Sequence, residues 1–150
     1  MTLGQLRRHP IERAPRSVTV VENPSVLAVA RARERDTALL CLSGKPSHAA
    51  LLACDQIVTV GGRLALHADF DIAGLGIVRQ LQSRYEDRAA AWRMDADDYR
   101  RAVVGSTVDL DPTHVPDTPS SPPLADTMRI HARAAFEEAM IDTLLADTRT

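Results

Sequence analysis

Three acidic residues stand where strand-like runs give way to helix-like ones. Glu22 follows the β-branched run Ser17-Val18-Thr19-Val20-Val21, and Asp69 and Asp71 follow the apolar run Arg63-Leu64-Ala65-Leu66-His67. If both runs are parallel strands, the three carboxylates meet at one sheet edge, where they repel unless a divalent cation or a shared proton relieves them. Donors that are all oxygen favour Mg²⁺ or Mn²⁺ over zinc. In an extended segment residues i and i+2 project to the same side, so Asp69 and Asp71 can share a metal site. Such a site suits phosphoryl transfer: cations activate the attacking oxygen and stabilise the leaving one, while a nearby glutamate acts as ligand or general acid and base. Taken singly, each acid has a plainer use. A glutamate after a strand is commonly a solvated turn residue, and Asp-x-Asp before a helix is commonly an N-cap.

The elements that must position these acids can be read in chain order. Residues 2–9 form a short helix stopped by Pro10, and residues 11–17 form an approach segment. The run 17–21 is a strand broken at Glu22-Asn23-Pro24, where Asn23 caps a helix and Pro24 suits its first turn. Residues 38–42 are a second strand, Ser43-Gly44-Lys45-Pro46 a turn built on Gly44, and Ser47 opens a helix to about residue 59, closed by Gly61-Gly62. The third strand, 63–67, exits through Ala68-Asp69-Phe70-Asp71 into a helix over residues 73–85 that carries Gly74 in its first turn. A shorter strand at 90–94 and a helix at 96–103, capped by Asp95, complete the pattern. Successive strand-turn-helix units imply a parallel sheet with right-handed crossovers, an α/β fold of about four strands flanked by helices.

Chain organisation then divides into an N-terminal helix and approach segment (1–16), a core (17–104), a proline-rich loop with disorder as its alternative (105–123) and a C-terminal helical segment (124–150). Within the last, one helix over residues 124–145 is expected, with Ile130, Ala134, Met140, Ile141 and Leu144 as its apolar side.

Composition narrows the function classes. At 150 residues one domain is expected, burying roughly 70% of its unfolded surface. With 45% apolar but only 3% aromatic residues, the core must be built from Leu, Val, Ile and Ala, as in a sheet covered on both faces. A net charge of −2 gives no global field to attract a polyanion, which counts against an autonomous DNA-binding module. Cys41 and Cys54 are too few for a disulfide framework or a zinc site, and fit a reducing cytoplasm. No run approaches the ~18 apolar residues of a membrane span, and residues 1–16 lack a signal-peptide core, so a cytoplasmic protein without membrane contact is expected.

Cations near the acids matter for phosphate. Lys45, the only lysine, follows the turn glycine of the second strand, and Arg93 lies beyond the fourth; either could contact a scissile phosphate. His67 reads as a strand-end residue satisfied by backbone, with a catalytic base as the alternative. His48 reads as a helix-start residue. Arg31, Arg33 and Arg35 are spaced two apart and do not share a helix face, so with Arg7, Arg8, Arg13 and Arg16 they read as solvated surface.

Taken together, Val-Val-Glu22-Asn-Pro, Leu-Ser-Gly44-Lys-Pro-Ser and His-Ala-Asp69-Phe-Asp71-Ile-Ala-Gly74-Leu-Gly-Ile77 resemble the Toprim domain. The resemblance is closer to the version in topoisomerase VI A subunits and Spo11, and closest to the C-terminal Toprim domain of JetD-like proteins from Wadjet anti-plasmid systems. It runs from about residue 2 to the C-terminus, and Trp92-Arg93-Met94 and Asp98-Tyr99 also stand where JetD-like chains have similar residues. It implies a Rossmann-like Toprim fold, Glu22 as the Toprim glutamate, Asp69 and Asp71 as Mg²⁺ ligands (Mn²⁺ serving as well) and Gly44 as the turn glycine. Glu137-Glu138 resembles a late acidic helix of JetD-like proteins that could add a ligand, with a solvated helix face as the alternative.

The resemblance further implies a metal-dependent nuclease that cleaves plasmid DNA beside an SMC-like complex, with a homodimer among the assemblies it allows. Topoisomerase action is not expected, because it needs a tyrosine nucleophile from a separate winged-helix-like domain, and neither Tyr85 nor Tyr99 lies in such a context. JetD-like proteins also carry a large N-terminal region for DNA and partner contacts, so activity is expected to need partner domains. Two other readings compete: a non-catalytic, truncated Toprim scaffold that docks to a partner protein, and a Toprim enzyme acting on RNA.

Overall fold

The computed structural model describes residues 1–118 and 124–147, so Pro119, Pro122 and Pro123 of the proline-rich loop, and residues 148–150, lie outside the described part. Eleven chain segments make the frame. Helix α1 (Leu3–Arg8) leads to β1 (Ser17–Val21), α2 (Pro24–Ala32), β2 (Leu39–Cys41), α3 (His48–Thr59) and β3 (Arg63–Leu66). Then follow α4 (Ile72–Tyr85), β4 (Ala89–Ala91), α5 (Ala96–Ala102), α6 (Leu124–His131) and α7 (Ile141–Asp147). Thr2 and Gln5 form a capping box on α1, and the side chains of Asn23, Ser47, Asp71 and Asp95 accept first-turn amides of α2, α3, α4 and α5.

The four strands form one parallel sheet in the order β2-β1-β3-β4, with Val20 opposite Leu40 on one side and Leu66 on the other. The α/β architecture expected from the sequence is therefore observed. In the central strands Val18, Val20, Leu64 and Leu66 are buried, and the core contains few aromatic side chains. Right-handed crossovers send α2 to one face and α3 and α4 to the other. In agreement, α2 packs against residues 137–140 and α7, whereas α1 packs on α3. Arg84 of α4 forks onto Asp55 of α3 at 3.0 Å, and the Tyr85 hydroxyl donates to the same carboxylate at 2.8 Å. Both cysteines are free thiols, Cys54 buried and Cys41 half-buried. No helix among the described residues is long and apolar enough to cross a membrane.

Three expectations need correction. The single helix over residues 124–145 is two helices: α6 ends at His131, Ala132 adopts φ +50°, and residues 133–136 run extended before a 3₁₀ turn at Glu137–Met140 opens α7. Tertiary hydrogen bonds outcompete the helix here. The Tyr99 hydroxyl donates to the Arg133 carbonyl at 2.8 Å, the Ser106 hydroxyl to that of Ala134 at 2.5 Å, and the Phe70 amide to that of Ala135 at 2.7 Å. Ile130, placed on the apolar side by the helical spacing, is 82% exposed, whereas Ala134, Met140 and Leu144 are buried as expected.

The second correction concerns the proline-rich stretch, whose described part is packed. Leu110 and Val115 are buried, Asp109 and Arg133 form an antiparallel bridge, and Asp111 caps a 3₁₀ turn at Pro112–His114. The fourth strand is also shorter than expected, ending where Arg93 turns to φ +53°, although the Trp92 amide still reaches the Leu66 carbonyl at 2.8 Å.

Because Ile130 faces solvent and Met128 is fully buried, Ile130→Lys should change the unfolding free energy from urea titration by no more than about 0.5 kcal/mol. Met128→Ala should cost about 2–5 kcal/mol in the same titration.

Candidate functional site

The strand order reverses direction between β1 and β3. From β1 the chain moves outward to β2, crosses back to β3 on the other side, and continues to β4. At such a switch point the adjoining loops separate and leave a crevice at the carboxyl ends of the strands, the usual ligand site of open α/β sheets. Glu22 leaves β1 at this crevice and Asp69 follows β3 there, with Asp71 two residues on. The structure therefore brings the three expected acids to one place.

Local structure explains why these residue types occur at this spacing. Asp71 is the N-cap of α4 and its Oδ1 accepts the Gly74 amide at 2.7 Å. The start of α4 lies so close to the preceding loop that a Cβ on Gly74 would overlap the Asp69 carbonyl oxygen. Asp-x-Asp-x-x-Gly is thus a packing unit as well as a pair of acids. Gly44, at φ +86°, follows Ser43 at φ +59° in the turn after β2, and its amide donates to the Glu22 carbonyl at 3.2 Å.

A fourth acid joins from the C-terminal segment. Glu137 is 1% exposed, and its carboxylate accepts the Glu22 amide at 3.1 Å and the Asn23 amide at 2.5 Å. The Glu137 amide donates to Asp69 Oδ1 at 2.7 Å, and the Asp69 amide donates to Glu22 Oε2 at 3.3 Å. Glu22, Asp69 and Glu137 therefore form a closed ring in which each carboxylate holds the main chain of the next. Glu138 is exposed and accepts the Asn23 side-chain amide at 2.7 Å.

Proton affinities follow from burial and crowding. Glu137 is pushed up to about 8, chiefly by desolvation, with Asp69 and Glu22 adding to the rise and its two amide donors opposing it. Asp69 rises to about 6, again mainly by desolvation, with Asp71 and Glu138 contributing. Glu22 is raised by burial first and then by Asp69 and Asp71. A crevice of hard oxygen donors with raised proton affinity lacks positive charge, and its donor chemistry fits Mg²⁺ or Mn²⁺. Among the described residues no group of three or more His, Cys, Asp or Glu side chains stands ready-made to hold a metal ion, since the acids are turned toward backbone amides.

The remaining candidates are spread around this edge. Lys45 is exposed in the turn after β2, on a groove lined by Leu27, Leu39, Cys41 and Ser43 that contains none of the acids. Arg93 is half-buried and pairs with the buried Asp98 at 3.3 Å. His67 is buried, with Nδ1 3.1 Å from the Trp92 carbonyl and Nε2 without a hydrogen-bond partner; burial lowers it to about 4. His48 begins α3, and Arg31, Arg33 and Arg35 are exposed, Arg33 pairing with Asp142. Sequence reasoning missed the backbone role of Glu137 and the part played by Tyr99, whose buried hydroxyl anchors the segment that delivers it. An acidic pair beside an apolar run signals a helix face as readily as a buried ligand, so no local pattern announced either.

Fold and site together define an α/β domain with an acidic crevice at the switch point of a four-stranded parallel sheet. The family model described as "Protein of unknown function C-terminus (DUF2399)" matches residues 1–148, and the chain belongs to that family. No curated protein and no solved structure matches it.

Two outcomes are expected from this geometry. Gly74→Ala should lower stability by about 1–3 kcal/mol in denaturant titration, because the added methyl meets main chain. The pH dependence of stability in chelator should be led by Glu137 above pH 6.5. An acid whose affinity is raised in the fold stabilises it when protonated, and that contribution is lost as pH climbs through the folded value. Buried, neutral His67 acts oppositely, its contribution present above 6.5 and lost as pH falls toward 4. Stability should therefore fall between pH 6.5 and 8, and Glu137→Gln should flatten that slope.

Proposed function

We propose that this domain is a Toprim-type nuclease domain that uses Mg²⁺ or Mn²⁺ to cleave DNA phosphodiester bonds in the cytoplasm, within a Wadjet-type anti-plasmid system beside an SMC-like complex. The observation that carries the reading is the meeting of Glu22, Asp69 and Asp71 in the crevice between β1 and β3. Family membership supports it, because the family is linked to the JetD-like proteins.

In this reading Glu22, Asp69 and Asp71 hold the cation. When bound, it supplies charge neutralisation at the phosphate and a more acidic attacking water. The raised affinity of Glu22 suits it to take or return a proton at its carboxylate. Lys45, exposed in the turn after β2, or Arg93, which pairs with Asp98, steadies phosphate. With one lysine and one arginine in the carboxyl-end loops, the chain offers little grip on a polyanion. The DNA-binding surface is therefore assigned to partner domains or to a second copy.

One observation favours a second reading, a non-catalytic scaffold that docks to a partner protein. The acids accept backbone amides from one another's segments, so they have a structural use of their own.

Calorimetry with Mn²⁺, comparing the wild-type chain with Asp69→Asn/Asp71→Asn, separates the two; asparagine keeps the cap on α4. Metal binding lost in the variant, with metal-dependent nicking of supercoiled plasmid by wild type, is the outcome expected of a self-sufficient nuclease. Binding without nicking assigns the activity to an assembly with partner domains. A folded wild-type chain that binds no Mn²⁺ removes the nuclease reading and leaves the scaffold.

A further inference from the structure

We infer that Glu137 is a positioning residue of the acidic crevice and not one of its cation ligands, acting through the main chain of residues 22–23 and 69. The inference rests on the metal-binding reading above and divides the acids by role. The described hydrogen bonds engage Glu22 Oε2, Asp69 Oδ1 and Asp71 Oδ1, one oxygen of each. By contrast both oxygens of Glu137 are engaged, Oε1 by the Glu22 amide and Oε2 by the Asn23 amide. Glu22, Asp69 and Asp71 thus each keep one oxygen outside the described hydrogen bonds, whereas Glu137 keeps none.

The placement of Glu137 agrees with this role. It is 1% exposed, and it stands at the first position of a 3₁₀ turn that follows the Phe70–Ala135 bridge. That bridge ties the same segment to the exit loop of β3, so the acid and its own amide act on both walls of the crevice together. Asn23 is fixed a second time, since its side chain caps α2 through Ser25 and donates to Glu138. The Glu22 main chain is thereby held from three directions: Glu137 on its amide, the Gly44 amide on its carbonyl, and the start of α2 beyond it. Groups that orient metal ligands in this way tune affinity without contributing a donor.

The test uses Mn²⁺ alone on the full chain and its Glu137→Gln variant, with Glu22→Gln for comparison. Pulsed EPR in ¹⁷O-labelled water counts the waters on bound Mn²⁺. Glu137→Gln should bind ~10- to 100-fold more weakly with an unchanged water count. Glu22→Gln should gain a water. In metal-free protein, amide hydrogen exchange at Glu22 and Asn23 should accelerate in Glu137→Gln, a readout that requires no metal. One extra water in Glu137→Gln, or unchanged exchange at both amides, overturns the inference alone. A folded wild-type chain that binds no Mn²⁺ overturns the metal reading and this inference with it, and is told apart from those outcomes by the wild-type titration.

Discussion

Acidic side chains here hold main-chain amides in a closed cycle: Glu22 that of Asp69, Asp69 that of Glu137, and Glu137 those of Glu22 and Asn23. Where the acid is ionised, such bonds are charge-assisted and about twice as strong as neutral ones. The cycle joins residues up to 115 positions apart and pins the C-terminal segment across the end of a sheet that would otherwise be open. Remove it, and the crevice at the switch point has no floor. The loops that leave the two central strands would then rest on the Phe70–Ala135 bridge, the Gly44 amide and the caps at Asn23 and Asp71 alone.

The same cycle sets the electrostatic problem of the site. Each amide donor favours the ionised acid, yet burial disfavours it more strongly, and the acids repel one another. The result is a cluster whose affinity for protons is raised even though its geometry is well supported. Such a cluster stores a demand for positive charge, which a proton, a divalent cation or a partner's cation can meet. Anything that binds the folded cluster and supplies that charge would strengthen the fold.

Charge is also arranged along the sheet. Arg16 and Arg63 stand at the amino ends of β1 and β3, while the acids stand at their carboxyl ends. A polyanion approaching this chain alone meets its acidic edge with Lys45 and Arg93 as the loop cations, and Arg93 is already paired with Asp98. A chain of net charge −2 with this distribution presents no field that attracts a polyanion to that edge.

The sequence by itself determined what local physics controls. Short-range patterns fixed the β-branched and aliphatic strands, the caps at Asn23, Ser47, Asp71 and Asp95, and the parallel α/β order, because propensity, capping and alternation act within a few residues. They also located Glu22, Asp69 and Asp71, since a carboxyl-end loop is defined by the strand before it. Tertiary structure alone decided the fate of the C-terminal third. A helical spacing over residues 124–145 was overruled by carbonyls of Arg133, Ala134 and Ala135 that found donors on Tyr99, Ser106 and Phe70. Those donors lie 28 or more residues away in sequence, so no window of local pattern contains them. For the same reason the sequence left Glu137 and Glu138 together, as an added ligand or a solvated helix face, and only the folded chain separates Glu137, buried on two amides, from its exposed neighbour.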